Sequence, residues 1–288
     1  MTDLMQLLTA GVSQGAAYGL VAASFVAVFA VTGVVSLVQG QFAAIAAFVA
    51  IALTGRGVPL VVAGALALVA VAALAWLIER GVLAGRYDAA PVTHLVTTLG
   101  VLVALQGAVL LVWGPEHRGL SPVVDGTFTL GGVVVRWQDL VIVAAAGLVG
   151  VVLWAFLTRT TTGRAVVASS QQPTAARLLG IPQARMYRLA FCVGALVAGV
   201  AGLVVSPVYL TGWDTGLSLG LKGFVAASVV GLVSLPGAVL AGILLGLLES
   251  LAAGYIDTGT KEVVAYLVLL TVLIVNAEGR RRAPALRV

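Results

Sequence analysis

The sequence predicts an all-α, polytopic helical integral membrane protein with about eight to nine transmembrane or re-entrant helices and a possible internal duplication. Three observations predict it. Hydrophobic residues make up 61% of the 288 and charged residues only 9%, where soluble domains carry roughly a quarter charged residues. Mean hydropathy is +1.13. The apolar stretches also reach the ~20 residues a helix needs to cross the hydrocarbon layer, whereas the short alternating strands of a membrane barrel are not the pattern seen. One transmembrane domain over residues 1–288 is expected, with no soluble domain attached.

The first span runs from Met5 to Val31, with no positively charged segment ahead of it, so no cleaved signal peptide is expected. Gly33 precedes a second span, Val34 to Leu53, interrupted by Gln39-Gly40-Gln41. A turn at Gly55-Arg56-Gly57 leads to a third, Val58 to Ile78. Charged residues Glu79, Arg80, Arg86 and Asp88 separate it from a fourth, Val92 to Trp113. Gly114 to Gln138 is rich in Gly, Pro and charge, and a β-prone piece at Phe128 to Val135 makes it an external loop or hairpin. The fifth span is Asp139 to Leu157 and the sixth Leu189 to Val205. Leu221 to Leu235 and Gly237 to Ala253 follow, separated by Pro236, and Val263 to Asn276 is the last, ahead of Arg280, Arg281 and Arg282.

Between the fifth and sixth spans, Thr158 to Arg188 carries Arg159, Arg164, Arg177, Arg185 and Arg188 and no acidic residue. Cationic loops stay on the cytoplasmic side. Nine crossings with the N-terminus outside put this loop, Arg80, Arg86 and the arginine tail on that side together, although Leu221 to Leu235 is short enough to re-enter without crossing. Within the loop, Pro173 suits a first helical turn and Gly180 a stop, with Pro182 beyond it. Ala175, Ala176 and Leu179 share one face of that helix. A short amphipathic helix below a membrane domain is either a docking surface or a topology anchor. The basic pI of about 9.8 is explained by these loops and anionic lipid headgroups, without nucleic acid.

Gly19-Leu20-Val21-Ala22-Ala23-Ser24 is echoed by Gly223-Phe224-Val225-Ala226-Ala227-Ser228, and Gly33-Val34-Val35-Ser36-Leu37 by Gly231-Leu232-Val233-Ser234-Leu235. Each echo leads into a polar or Pro/Gly break. Broken helices at matching positions in two halves point to a binding or conduction site, because unwound backbone supplies polar groups at membrane depth.

No catalytic constellation or metal cluster stands out. His94 and His117 are the only histidines, Cys192 the only cysteine, and no P-loop is present. The chain is therefore expected not to be an enzyme, and an ATP-driven process requires the nucleotide site on another chain. Glu249 lies in an apolar run, where a charge is unfavourable by about 2.5–3.5 kcal/mol. It needs a partner, as a path residue or as a structural hydrogen bond. Lys222 reads as an interface residue reaching to headgroups. Gln39 and Gln41 either line a path or join helices.

Four pieces together resemble the permease subunits of ABC importers for branched-chain amino acids. These are Gly33 to Phe42; Ala90 to Gly100 continuing through Gln106 to Trp113-Gly114-Pro115; Thr162-Gly163-Arg164-Ala165 running to Gly180-Ile181; and Ser234-Leu235-Pro236-Gly237-Ala238 with Gly242, Gly246 and Glu249. The resemblance implies a second, related permease subunit, two cytoplasmic ATPase subunits that bind ATP and Mg, an external solute-binding protein, and a bacterial or archaeal plasma membrane with the C-terminus cytoplasmic. No cofactor is expected on this chain. It also implies that Gly163, Arg164, Ala168, Ala175, Ala176, Leu179, Gly180 and Ile181 couple to an ATPase. Ser36, Gln39, Gly40, Gln41, Thr98, Gln106, Ser234, Pro236, Gly237 and Glu249 are the expected translocation path. The chain departs from the family at Ser36, at Val38 to Gln41, at Val230, Leu232 and Val233, and at Val167. Urea, short amides or another amino acid are therefore alternative substrates, and a secondary transporter or a non-transporting paralogue are alternative classes.

Overall fold

In a computed structural model of the chain, residues 2–85, 90–130, 132–171, 173–232, 234–257, 263–268, 270–272 and 274 are described. Arg86, Asp88 and the arginine tail at Arg280, Arg281 and Arg282 lie outside them.

The architecture is a helical bundle around α1 (Thr2–Thr32). This helix is buried over most of its apolar window and packs against α5 (Trp137–Arg159), α8 (Gln183–Val205), α9 (Thr215–Val229) and α10 (Leu235–Tyr255). The remaining long elements are α2 (Gln39–Thr54), α3 (Leu60–Ile78) and α4 (Pro91–Trp113). Among the described residues, six helices are long and apolar enough to span a membrane, and α2, α9 and Val263–Val272 are shorter apolar helices. α3, α4 and α5 leave most of their apolar windows uncovered, as lipid-facing helices do.

Glycines set how closely α1 approaches α10. A Cβ on Gly15 would lie 2.5 Å from the Ile243 Cα, one on Gly11 2.9 Å from the Leu247 Cα, and one on Gly19 2.9 Å from the Val239 Cα. The two helices run antiparallel in backbone contact, the packing that small residues permit in membranes. A second interface of this kind joins α2 to α9, where a Cβ on Gly40 would sit 2.5 Å from the Gly220 Cα. Exchanging α1 with α9 and α2 with α10 turns one interface into the other. The sequence echo is also conformational: α1 and α9 each end at a glycine with positive φ, Gly33 at +63° and Gly231 at +65°, and an unwound stretch follows before α2 and α10 begin.

The breaks lie elsewhere than expected. The second span does not start at Val34, since residues 33–38 are non-helical and α2 begins at Gln39. Pro236 does not separate two spans. It occupies the first turn of α10, where its missing N–H costs nothing, and the Ser234 hydroxyl caps that turn by accepting from the Gly237 N–H at 3.2 Å. Leu221 to Leu235 is not one segment either, because α9 starts at Thr215 and ends at Val229, with Gly216 and Gly220 turned into the α2 contact.

At one end of the bundle, β1 (Thr127–Leu130) and β2 (Val133–Arg136) form the expected antiparallel hairpin, and Arg118 bridges to Thr211. At the other end, the arginine segment folds into two helices, α6 (Thr161–Gln171) and α7 (Pro173–Leu178); only α7 was expected. Val166 of α6 is buried with Val31, Met186 and Ala190, which anchors the segment to α1 and α8.

Candidate functional site

Two cavities, mainly apolar but with polar side chains in their walls, flank the interior of the bundle. The hairpin-end cavity, about 240 Å³, lies between α1, the 206–214 connection and α9. At its floor the Glu249 carboxylate is fully buried and meets the Lys222 ammonium at 3.1 Å and the Tyr18 hydroxyl at 2.7 Å. Lys222 also donates to the Tyr18 oxygen at 3.1 Å, and Gln14 donates to Tyr18 and, at 3.4 Å, to Glu249. Helices α1, α9 and α10 thus supply one member or more each to a single network. Lys222 is therefore not an interface lysine reaching for headgroups: it is the partner that Glu249 requires. His117 and Asp214 pair at 3.5 Å and also line this cavity, each about half exposed. Burial, and next the Asp139 carboxylate, push the Tyr209 phenol up from its ordinary value, so this residue stays a neutral hydroxyl.

The arginine-end cavity, about 30 Å³, is bounded by Thr32, Ser36, Glu79, His94 and Thr98. Ser36 and Thr98, both expected on the path, are brought together here. Arg188 closes on Glu79 with a 2.7 Å ion pair, and Glu79 itself starts the π-helical turn Glu79–Leu83 that ends α3.

The first turn of α2 lies between these regions. Gln39 approaches Gly194 near the middle of α8, and Gln41 lies directly against Gly216 of α9. Both side chains are fully buried, and their amide nitrogens and oxygens have no hydrogen-bond partner among the described residues; the same holds for the Ser36 hydroxyl and Glu249 Oε1. Unpartnered buried polar groups are unfavourable by about 1–3 kcal/mol each. These four residues, Ser36, Gln39, Gln41 and Glu249, therefore mark the least satisfied part of the described bundle.

The other expected path residues fall elsewhere. Ser234 and Pro236 line a third cavity of about 580 Å³ that also reaches Gly33 and Leu232, so both chain breaks open onto one space. Gly237 serves the α10 cap. Gln106 is half-buried on α4 and lines none of these three cavities. Of the coupling set, Gly163 rests on the Phe156 carbonyl and the Leu157 backbone, with its N–H capped by the Thr160 hydroxyl at 2.9 Å. Arg164 and Ala168 are exposed, Ala175 and Ile181 are half-buried, and Ala176 is buried. Gly180 ends α7 with φ +77°, and the Ile181 N–H returns to the Ala176 carbonyl, a glycine-terminated C-cap. Leu178 and Leu179 beside it are 85% and 80% exposed.

Sequence reasoning missed Gln14, Tyr18, Tyr209 and Ser218. Tyr18 sits in a strongly apolar helix, and nothing linear connects it to positions 222 and 249. Gln14 four residues earlier was the one available sign that this face of α1 is polar.

Comparison with known proteins agrees with this architecture. A family model described as branched-chain amino acid transport system / permease component matches residues 7–274. The high-affinity branched-chain amino acid transport system permease protein BraD of Pseudomonas aeruginosa is 30% identical, over 96% of this chain and 94% of its own length. The permease protein LivH of the corresponding system in Escherichia coli (strain K12) shows the same identity and coverage. The autoinducer 2 import system permease protein LsrC of Enterobacter sp. (strain 638) is 33% identical over 70% of this chain and 62% of its own. A polytopic helical membrane protein with broken helices, buried ion pairs and a match to nearly its whole length, the chain belongs to the family of branched-chain amino acid transport system permease components.

Proposed function

We propose that the chain is the permease subunit of an ATP-driven importer of branched-chain or related hydrophobic amino acids in a bacterial or archaeal plasma membrane. In this reading its N-terminus and hairpin end face outside, and the C-terminus and arginine segment face the cytoplasm. The observation that carries the reading is the set of unsatisfied buried polar groups at Ser36, Gln39, Gln41 and Glu249 in a bundle with cavities at both ends. A protein with one resting state has no reason to keep them; a transporter exposes such groups in its alternate state.

The permease performs no bond chemistry. ATP and Mg act on two cytoplasmic ATPase subunits, and an external solute-binding protein delivers cargo to the hairpin end. The coupling surface is α6–α7 with the following turn. Exposed Leu178 and Leu179 enter an ATPase groove, and exposed Arg164 adds charge. Because Val166 is packed against Val31 of α1 and Met186 of α8, motion of α6 is transmitted to the helices that carry the path. The ligands act by shifting the populations of inward- and outward-facing states. A second, related permease supplies the other half of the path. Urea or short amides remain the alternative cargo on the residue pattern alone, and no observation favours them.

The test is uptake by the complete complex in proteoliposomes. ATP-dependent accumulation of leucine, isoleucine or valine is expected. Accumulation that follows an ion gradient and ignores ATP contradicts the proposal.

A further inference from the structure

We infer that the hairpin-end cavity is a binding site for the zwitterionic head of an α-amino acid, with Lys222 as the carboxylate partner. The inference rests on the proposed transport function and adds the chemistry of a site. A lysine ammonium has three donors. Lys222 uses two, on Tyr18 and Glu249, with its Nζ also 5.2 Å from the Tyr18 ring centroid, and among the described residues the third donor has no hydrogen-bond acceptor. It belongs to a side chain only 14% exposed that nonetheless lines the open cavity. Tyr209 and Ser218 line the same space, and their hydroxyls also have no hydrogen-bond partner among the described residues. Asp214 adds an acidic group, and Val205 and Leu219 supply apolar wall.

This lining is complementary to one kind of solute. A carboxylate reaches the free donor of Lys222 in a partly desolvated site, where a charge-assisted bond is stronger than a neutral one. The α-ammonium then finds acceptors in the Tyr209 and Ser218 oxygens and the Asp214 carboxylate, while a compact apolar side chain lies on Val205 and Leu219. About 240 Å³ is below the common ~300–1,000 Å³ of ligand pockets, which suits a single amino acid. An uncharged amide offers Lys222 only a neutral carbonyl oxygen and brings no ammonium for Asp214, so it gains less here.

A purely structural ion pair is the competing account. The pair links α9 to α10 and, through Tyr18, reaches α1, yet α1 and α10 are already in backbone contact through Gly11, Gly15 and Gly19 without it. A buried pair is also a poor source of stability compared with apolar packing. The Lys222–Glu249 pair does serve to hold the ammonium charged and aimed in the absence of ligand, which makes Glu249 a positioning residue.

Ser218, exposed in the cavity, provides the test. The complete complex carrying Ser218→Cys and Cys192→Ala is treated with a small cationic methanethiosulfonate reagent, with and without saturating leucine, and leucine import by the unsubstituted complex is measured in parallel. Leucine is expected to slow labelling several-fold, acetamide to leave it unchanged, and Lys222→Met with Glu249→Leu to abolish the protection while the complex still assembles. A complex that imports leucine with no protection of Cys at 218, or that keeps full protection in the double variant, overturns the site. An unsubstituted complex that imports no amino acid at all overturns the transport function on which it rests.

Discussion

The Arg188 guanidinium holds the Glu79 carboxylate at 2.7 Å, Nε to Oε2, and so ties α8 to the π-helical turn that ends α3. Glu79 is 1% exposed and Arg188 30%. π-helical turns recur at functional sites, and this one borders the arginine-end cavity. Removing one member of a buried pair strands the other. Glu79→Ala is expected to destabilise the protein by roughly 3 kcal/mol, the lower end of the usual ~3–5 kcal/mol because Arg188 retains some water. The paired change Glu79→Leu with Arg188→Met is expected to cost less than the single one. Thermal unfolding of the purified complex in detergent reads both. Equal losses would mean the pair is incidental to folding.

Close helix approach makes a second prediction. A side chain on Gly246 would run into the Gly15 backbone, which has no flexible atoms to yield. Gly246→Leu is expected to destabilise by more than the ~1–3 kcal/mol of ordinary overpacking, and to abolish membrane accumulation. Gly107→Leu, on a face of α4 with open space around it, is the control and leaves accumulation unchanged. Expression and size-exclusion profiles separate the two.

Gly40 tests mobility within the path. Its contact with Gly216 and Gly220 leaves no room for a methyl group, so Gly40→Ala pushes α2 from α9 at the level of the unpartnered glutamines. ATPase activity and uptake are expected to uncouple, with uptake falling at least ~10-fold, an amount equal to about 1.4 kcal/mol. Unchanged uptake per ATP hydrolysed would show that this interface does not move during transport.

At the arginine end, Leu178→Asp with Leu179→Asp is expected to abolish co-purification of the ATPase while leaving unfolding temperature unchanged, since both side chains are exposed. Arg164→Ala with Gly180→Ala is expected to weaken docking as well. Part of that effect comes from strain, because φ +77° is unfavourable by about 1–2 kcal/mol for a residue with a Cβ. Undiminished co-purification in both variants would remove α6–α7 as the coupling surface.

The parts of this fold legible in the sequence are those where one segment suffices. Long apolar runs located α1, α3, α4, α5 and α8, and Pro173 with Gly180 located α7. α6 was missed because Thr161 to Ser169 holds few apolar residues and its burial depends on Val31 and Met186 from distant helices. The start of α9 was missed because Ser206 to Gly220 reads as a polar, glycine-bearing connection, although Gly216 and Gly220 are the α2 packing surface. Glu249 was recognisable as needing a partner. The identity of that partner was not, because Lys222 and Tyr18 reach it only once three helices are assembled. The matched breaks were visible as an echo, and Gly33 and Gly231 show why it exists: each ends a helix with positive φ.

The central claim is that this permease works as part of an ATP-driven complex. The most direct measurement is a mild-detergent isolation of the chain from its native membrane, with its companions identified by mass. The account predicts recovery of a second, related permease and of ATPase subunits that are lost from the Leu178→Asp, Leu179→Asp variant. Stable and repeated recovery of the chain alone would contradict it.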